Sequence, residues 1–160
     1  MIKKVILGII FFVIGFGIAV YFDSFFRFKI QDLYQWTTNN GIQFNGKDFY
    51  LFGNPIYFIS FGLLFLIFNI ANYKTQRTKI LKNGIFLVVI FIVALIGISA
   101  IDAHLKIIEC TACDDGIRKL GYNEINYGII LSISAIVSLI PSLVTLIKKW
   151  QNRKKILLER

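Results

Sequence analysis

The sequence predicts an all-α membrane protein, a four-transmembrane-helix bundle with a small extracytoplasmic cap. Three observations carry that prediction. The chain of 160 residues is 56% hydrophobic and only 17% charged, against the roughly 25% charge of an average soluble domain. It holds 16 Phe, more apolar bulk than one core of this size buries. The apolar residues gather into four uncharged runs, Val5–Phe22, Phe49–Tyr73, Gly84–Ile101 and Ile125–Ile147. Each approaches the roughly 20 residues needed to cross a hydrocarbon core about 30 Å thick. The runs are continuously apolar and do not alternate, so helices are expected and lipid-facing strands are not. The composition excludes a disordered chain, which would be polar, and a small disulfide scaffold, which would need more than the two Cys present. A single integral membrane domain over residues 1–160 follows, with helices at about 5–22, 55–73, 84–102 and 125–148.

The first run stands behind Lys3 and Lys4, the layout of a signal peptide. No small-residue cleavage site follows it, and Tyr21, Phe22, Phe25 and Phe26 fill the region instead, so a retained helix is expected. The first outer loop, Asp23–Asp48, begins with Phe26, Ile30 and Leu33 at helical spacing and with Asp23 or Ser24 available as an N-cap. This predicts a short amphipathic helix in the membrane interface, ending before Asn39-Asn40-Gly41. The segment Ile42 to Phe49 contains Asn45-Gly46, the strongest local hairpin signal, so a small hairpin is expected beside that helix. Pro55 suits the first turn of the second spanning helix, where its missing N–H is no loss.

Orientation follows from the basic residues. One side of a four-crossing topology holds Lys3, Lys4, Lys74, Arg77, Lys79, Lys82 and the tail from Lys148 to Arg160, together 12 basic residues and one acid, Glu159. The other side holds six basic residues and the remaining eight of the nine acids. Loops rich in Lys and Arg stay in the cytoplasm. Both termini are therefore expected inside, with a bacterial inner membrane as the location and anionic lipids as partners at the cytoplasmic face. Nucleic acid is not expected as a partner, because the net charge of +9 is divided among short membrane-flanking segments. The tail with Trp150 suits either a surface-lying helix end or a frayed topogenic segment.

Within the spanning runs no side chain is ionisable, which argues against ion pumps and intramembrane proteases. Asp102 stands at the outer end of the third helix, as an interfacial residue, and Asn69 and Asn72 lie near the inner end of the second, within headgroup reach. Ser134, Ser138 and Ser142 form a stripe on the fourth helix, and Gly8, Gly15 and Ala19 one on the first. Small residues allow close helix approach in lipid, so packing of the first helix on the fourth, or on a partner's helix, is expected. Pro141 should kink the fourth helix, with the nearby serines bonding the freed carbonyl groups.

The second outer loop, Asp102–Glu124, carries Cys110-Thr111-Ala112-Cys113 and the only histidine, His104. Outside the inner membrane thiols tend to be oxidised. The pair reads as a structural disulfide or as a redox dithiol. A zinc site lacks a second ligand pair, so no metal is expected. Glu109, Asp114 and Asp115 flank the cysteines, and negative neighbours raise a thiol pKa, which favours the structural reading. Arg118 and Lys119, one helical turn beyond Asp114 and Asp115, are expected to pair with those acids.

A chain of four helices with both termini inside and a C-x-x-C between the third and fourth resembles the quinone-linked membrane thiol oxidases, the DsbB and vitamin K epoxide reductase families. The segment Leu51-Phe52-Gly53-Asn54-Pro55-Ile56 is similar to the Gly-x-Pro that opens the second helix in bacterial members of the latter. The resemblance implies that Cys110 and Cys113 are a catalytic dithiol passing electrons to a quinone cofactor. The sequence departs from the pattern in two places. Its first outer loop has no second cysteine pair, and the polar stretch Asp114–Glu124 separates Cys113 from the fourth run. The residues read by themselves favour a non-catalytic protein: an accessory subunit of a larger membrane complex, or an immunity-type protein.

Overall fold

A computed structural model describes residues 2–46, 56–73, 75–109 and 115–158. Side chains are described from residue 5 and as far as residue 151. Five α-helices lie among these residues: α1 (Ile2–Tyr21), α2 (Asp23–Thr37), α3 (Ile56–Asn72), α4 (Arg77–Ile108) and α5 (Tyr127–Leu158). Two short strands, β1 (Ile42–Asn45) and β2 (Arg118–Gly121), complete the outer end, and a single 3-10 turn, Tyr122–Glu124, leads into α5.

The helices form a row. α1 packs on α3, α3 on α5 and α5 on α4, while α2 crosses to α4. The helical prediction holds, and the bounds shift. α4 and α5 each run 32 residues, about 48 Å, and both are long and apolar enough to cross a membrane. α1 has 20 residues, about 30 Å, and its segment Val5–Tyr21 joins α2 as an apolar pair bent by 58°. α3 has 17 residues, about 25 Å, and is a shorter apolar helix. Among the described residues two helices, or three with the bent pair, meet the length and composition of a span. α4 outgrows the expected 84–102 because Arg77, Lys79, Lys82 and Lys106 are good helix formers that extend it beyond its apolar stretch. The C-terminal tail likewise continues α5 through Leu158 and is no separate surface element.

The α1–α3 contact corrects the expected pairing of the first and last helices. A Cβ on Gly15 would stand 2.6 Å from the Phe61 carbonyl oxygen and 2.8 Å from the Phe65 ring. A Cβ on Gly62 would stand 2.6 Å from the Phe12 ring. Each helix thus lays an aromatic ring over the other's glycine, and the close approach goes to α3. The serine stripe of α5 is buried, and its hydroxyls turn to their own helix: Ser134 Oγ donates to Ile130 O at 2.7 Å and Ser138 Oγ to Ala135 O at 2.7 Å. Pro141 sits inside α5 without ending it, and Thr145 Oγ bonds its carbonyl at 2.9 Å.

α2 ends at Thr37, as expected, where Asn39 and Asn40 take positive φ of 50° and 61°. Its start differs. Phe22 occupies the N-cap position with no side-chain capping bond, and Asp23 turns into the bundle. Ile30 is buried, with Phe26 and Leu33 packed against the core, so the predicted apolar face is correct. Tyr21, Phe22, Phe25 and Phe28 remain exposed around the α1–α2 corner, and Trp36 at the far end of α2.

β1 forms where the first strand of the expected hairpin was placed, and its described partner is a distant strand. β1 pairs in parallel with β2, in the register Ile42↔Arg118, Gln43↔Lys119, Phe44↔Leu120 and Asn45↔Gly121. The backbone N–H of Arg118 also donates to Gly41 O at 2.8 Å. Parallel strands need a long crossover, supplied here by α3 and α4 together. The pairing buries Ile42 and Leu120 and stacks Phe44 on Tyr122, with ring centroids 5.6 Å apart. The segment that would have formed the second hairpin strand, 47–50, lies outside the described residues.

Candidate functional site

The polar chemistry of the described residues concentrates where α2 crosses the outer ends of α3, α4 and α5. On α2, Asp23, Arg27, Gln31 and Tyr34 recur at helical spacing and form one buried stripe. Asp23 Oδ2 accepts from Arg27 Nε at 3.0 Å. Its other oxygen accepts the Tyr57 hydroxyl from the first turn of α3. The Arg27 guanidinium lies 5.0 Å from the centroid of the Tyr127 ring, on the first turn of α5. Gln31 Nε2 donates to the Tyr127 hydroxyl at 2.8 Å. Tyr34 donates its hydroxyl to Asp102 near the outer end of α4. One helix therefore reaches all three neighbours through a continuous set of side chains. None of the seven leaves a buried polar atom without a partner. Tyr34 lies beyond the first apolar run. Burial first, and then the facing Asp102 carboxylate, raise its pKa, so the phenol stays protonated and remains a donor.

This arrangement is structural glue of an unusual density for an apolar chain. Opposite charges Asp23 and Arg27 are withdrawn from solvent together, and the phenol of Tyr57 satisfies the remaining carboxylate oxygen. Removing either charge alone strands the other, which costs about 3–5 kcal/mol for a buried pair. Asp102 is thus half-buried and tied to Tyr34, a docking contact between α2 and α4 in place of a simple interfacial residue.

The cysteine segment departs from this frame. Cys110 and Cys113, singled out by the sequence, lie outside the described residues, as does Asp114. What is described is the frame on either side. α4 ends at Ile108, and Asp115 takes a positive φ of 51° before β2. His104 is exposed. Glu109 lies 4.0 Å from Lys106. Arg118 and Lys119 belong to a strand, so the helical spacing that was expected to pair them with Asp114 and Asp115 does not apply.

The opposite end of the bundle has its own polar set. Asn72 is buried and bonded, accepting from Asn83 Nδ2 at 2.7 Å and donating to Phe68 O at 2.9 Å, rather than meeting headgroups. Lys149 Nζ donates to Ala71 O at 2.6 Å and closes the end of α3. Two apolar clefts lie in this half, one of about 540 Å3 between α3 and α4 and one of about 420 Å3 between α1 and α3.

Sequence reasoning missed the α2 stripe. The signal was present: Asp23, Arg27, Gln31 and Tyr34 share a helical face, opposite a tyrosine at the start of α3 and another at the start of α5. It was hidden because a polar face on an interfacial helix is expected to face water. Comparison with protein-family models, with curated proteins and with solved structures returns no match to this chain.

Proposed function

We propose that the chain is a non-catalytic integral membrane protein, an accessory subunit of a larger membrane complex or an immunity-type protein. In this reading α1, α3, α4 and α5 cross the bilayer, and α2 with the β1–β2 pair forms the extracytoplasmic cap. The apolar stretch of α3 reaches about 25 Å by its 17 described residues, near the lower limit for a span. The exposed aromatic side chains from Tyr21 to Trp36 match the belt found at membrane interfaces. The basic count supports a cytoplasmic side for both termini, and in this reading the cysteine segment faces the periplasm of a bacterial inner membrane.

The observation that carries the non-catalytic reading is the self-contained outer network. Its charged and hydroxyl groups are engaged with one another, and the apolar clefts of α3–α4 and α1–α3 lie at the end of the bundle far from that network. α4 adds a reason to expect a partner: of its 32 residues Leu95, Ser99 and Ala103 are the buried ones, so a long apolar face is left to its surroundings. In mild detergent the chain is expected to co-purify with larger membrane proteins. Recovery of a lone chain under those conditions overturns the accessory reading.

A second reading, a quinone-linked thiol–disulfide oxidoreductase using Cys110 and Cys113, draws support from the frame. The Tyr34–Asp102 bond fixes the end of α4, and the Arg118–Gly41 bond fixes β2, so both flanks of the cysteine segment are held at the outer surface. This reading predicts that Cys113→Ala traps a mixed disulfide through Cys110 and stops quinone reduction. Full function in both single alanine variants ends it.

A further inference from the structure

α3 and α4 both pack on α5 and leave between them the cleft of about 540 Å3, within the roughly 300–1,000 Å3 of small-molecule sites. Its walls are Leu64, Phe65 and Phe68 on one side and Ile80, Gly84 and Val88 on the other. Exposed Ile85 and Val89 line its open side, so the cleft faces the lipid and not a water-filled interior. Along α4 it extends from Ile80 to Val89, about 13 Å, close to half of a hydrocarbon core about 30 Å thick. It is therefore one leaflet deep. A partner helix is about 10–12 Å wide with a pitch of about 5.4 Å, so a cleft of this length would meet only about two of its turns.

The rim of the cleft is charged. Arg77, in line with Leu81, Gly84 and Val88, and Lys82, in line with Ile85 and Val89, are exposed on the first two turns of α4, whereas Lys79 lies on the opposite face; no acid occupies the first turn. On this side of the topology the sequence holds a single acid, Glu159. An occupant with one apolar chain and an anionic end matches both parts at once.

We propose that this cleft holds one acyl chain of an anionic phospholipid from the cytoplasmic leaflet, with its headgroup phosphate at Arg77 and Lys82. The inference rests on the reading of α3 and α4 as membrane-embedded. Gly84 makes it testable. A Cβ there meets only the tip of the Phe68 ring, at 3.7 Å, so a larger side chain fits the backbone and fills the cleft.

The test is native mass spectrometry of the full chain, released from mild detergent with phosphatidylglycerol or phosphatidylcholine bearing identical acyl chains. The wild type is expected to retain one phosphatidylglycerol, with a preference of at least about tenfold over phosphatidylcholine. Gly84→Leu should lose both lipids. The combined variant Arg77→Gln, Lys82→Gln, altered only at exposed positions, should bind the two equally and weakly, and Lys79→Gln, on the opposite face of α4, should bind as the wild type does. Millimolar inorganic phosphate should leave the bound lipid in place. Equal retention of the two lipids by the wild type overturns the proposal. So does undiminished phosphatidylglycerol on Gly84→Leu, displacement by phosphate, or a second copy of the chain in place of lipid. If the chain proves soluble without detergent, the membrane reading itself fails; if it needs detergent and retains no lipid, the cleft assignment alone fails.

Discussion

Asp23 connects three helices through one carboxylate: it accepts from Arg27 on its own helix and from Tyr57 on α3, while Arg27 covers the Tyr127 ring of α5. The pair is buried, so its members act as a unit. Asp23→Ala leaves the guanidinium without its counter-charge, and Arg27→Ala does the same to the carboxylate. Each is expected to destabilise the fold by about 3–5 kcal/mol in a denaturant titration in micelles. Replacement of the whole unit by Asp23→Leu, Arg27→Met and Tyr57→Phe removes every stranded group, and should restore stability to within about 2 kcal/mol of the wild type. A triple variant as unstable as the single ones would show that the polar groups contribute more than mutual satisfaction. Tyr57→Phe is a required part of the set, because its hydroxyl would otherwise lose its acceptor.

Between elements, glycines decide which helices touch. Gly15 and Gly17 stand two residues apart on α1, yet a Cβ on Gly15 meets Phe61 O at 2.6 Å whereas one on Gly17 meets nothing within 4 Å. Gly15→Ala must push α3 away and should cost about 1–3 kcal/mol, the range for overpacking. Gly17→Ala should be neutral, or stabilising by up to about 1 kcal/mol, since alanine is the better helix former. The same unfolding titration separates the two, and equal effects would remove the case for a glycine-dependent α1–α3 contact. This contact also shows how much the sequence discloses. Apolar runs locate the helices, because hydropathy is a property of each segment alone. The small residues of α1 announce a close approach but not its partner, since Gly62 of α3 and the serines of α5 offer equally small surfaces. The β1–β2 pair was hidden for a similar reason. Asn45-Gly46 is a local signal, whereas the pairing of Ile42 with Arg118 joins segments separated by two helices. Within the candidate site, Asp102 was visible and its donor Tyr34 was not, because the donor is fixed only when α2 folds across α4.

For the molecule as a whole, the row α1–α3–α5–α4 and the charge distribution together define a sidedness. Arg77, Lys79, Lys82, Lys148 and Lys149 fall at one end of the bundle, whereas α2, β1 and β2 close the other. Whether α3 crosses the bilayer decides between this topology and one with fewer crossings, as α3 alone separates the α2 cap from the start of α4. Single cysteines at two exposed positions flanking it, Trp36→Cys and Lys82→Cys, in a Cys110→Ser, Cys113→Ser background, read this out directly. A membrane-impermeant maleimide applied to intact cells is expected to label position 36, and to reach position 82 only after permeabilisation. Labelling at both positions from one side would mean that α3 returns without crossing. In that case Arg77, Lys79 and Lys82 would share the surface of the cap, and the positive-inside argument would lose its strongest loop. Opposite accessibility would instead fix Arg77, Lys79 and Lys82 beside the anionic inner leaflet, where the open cleft between α3 and α4 meets the lipid that its shape and charge suit.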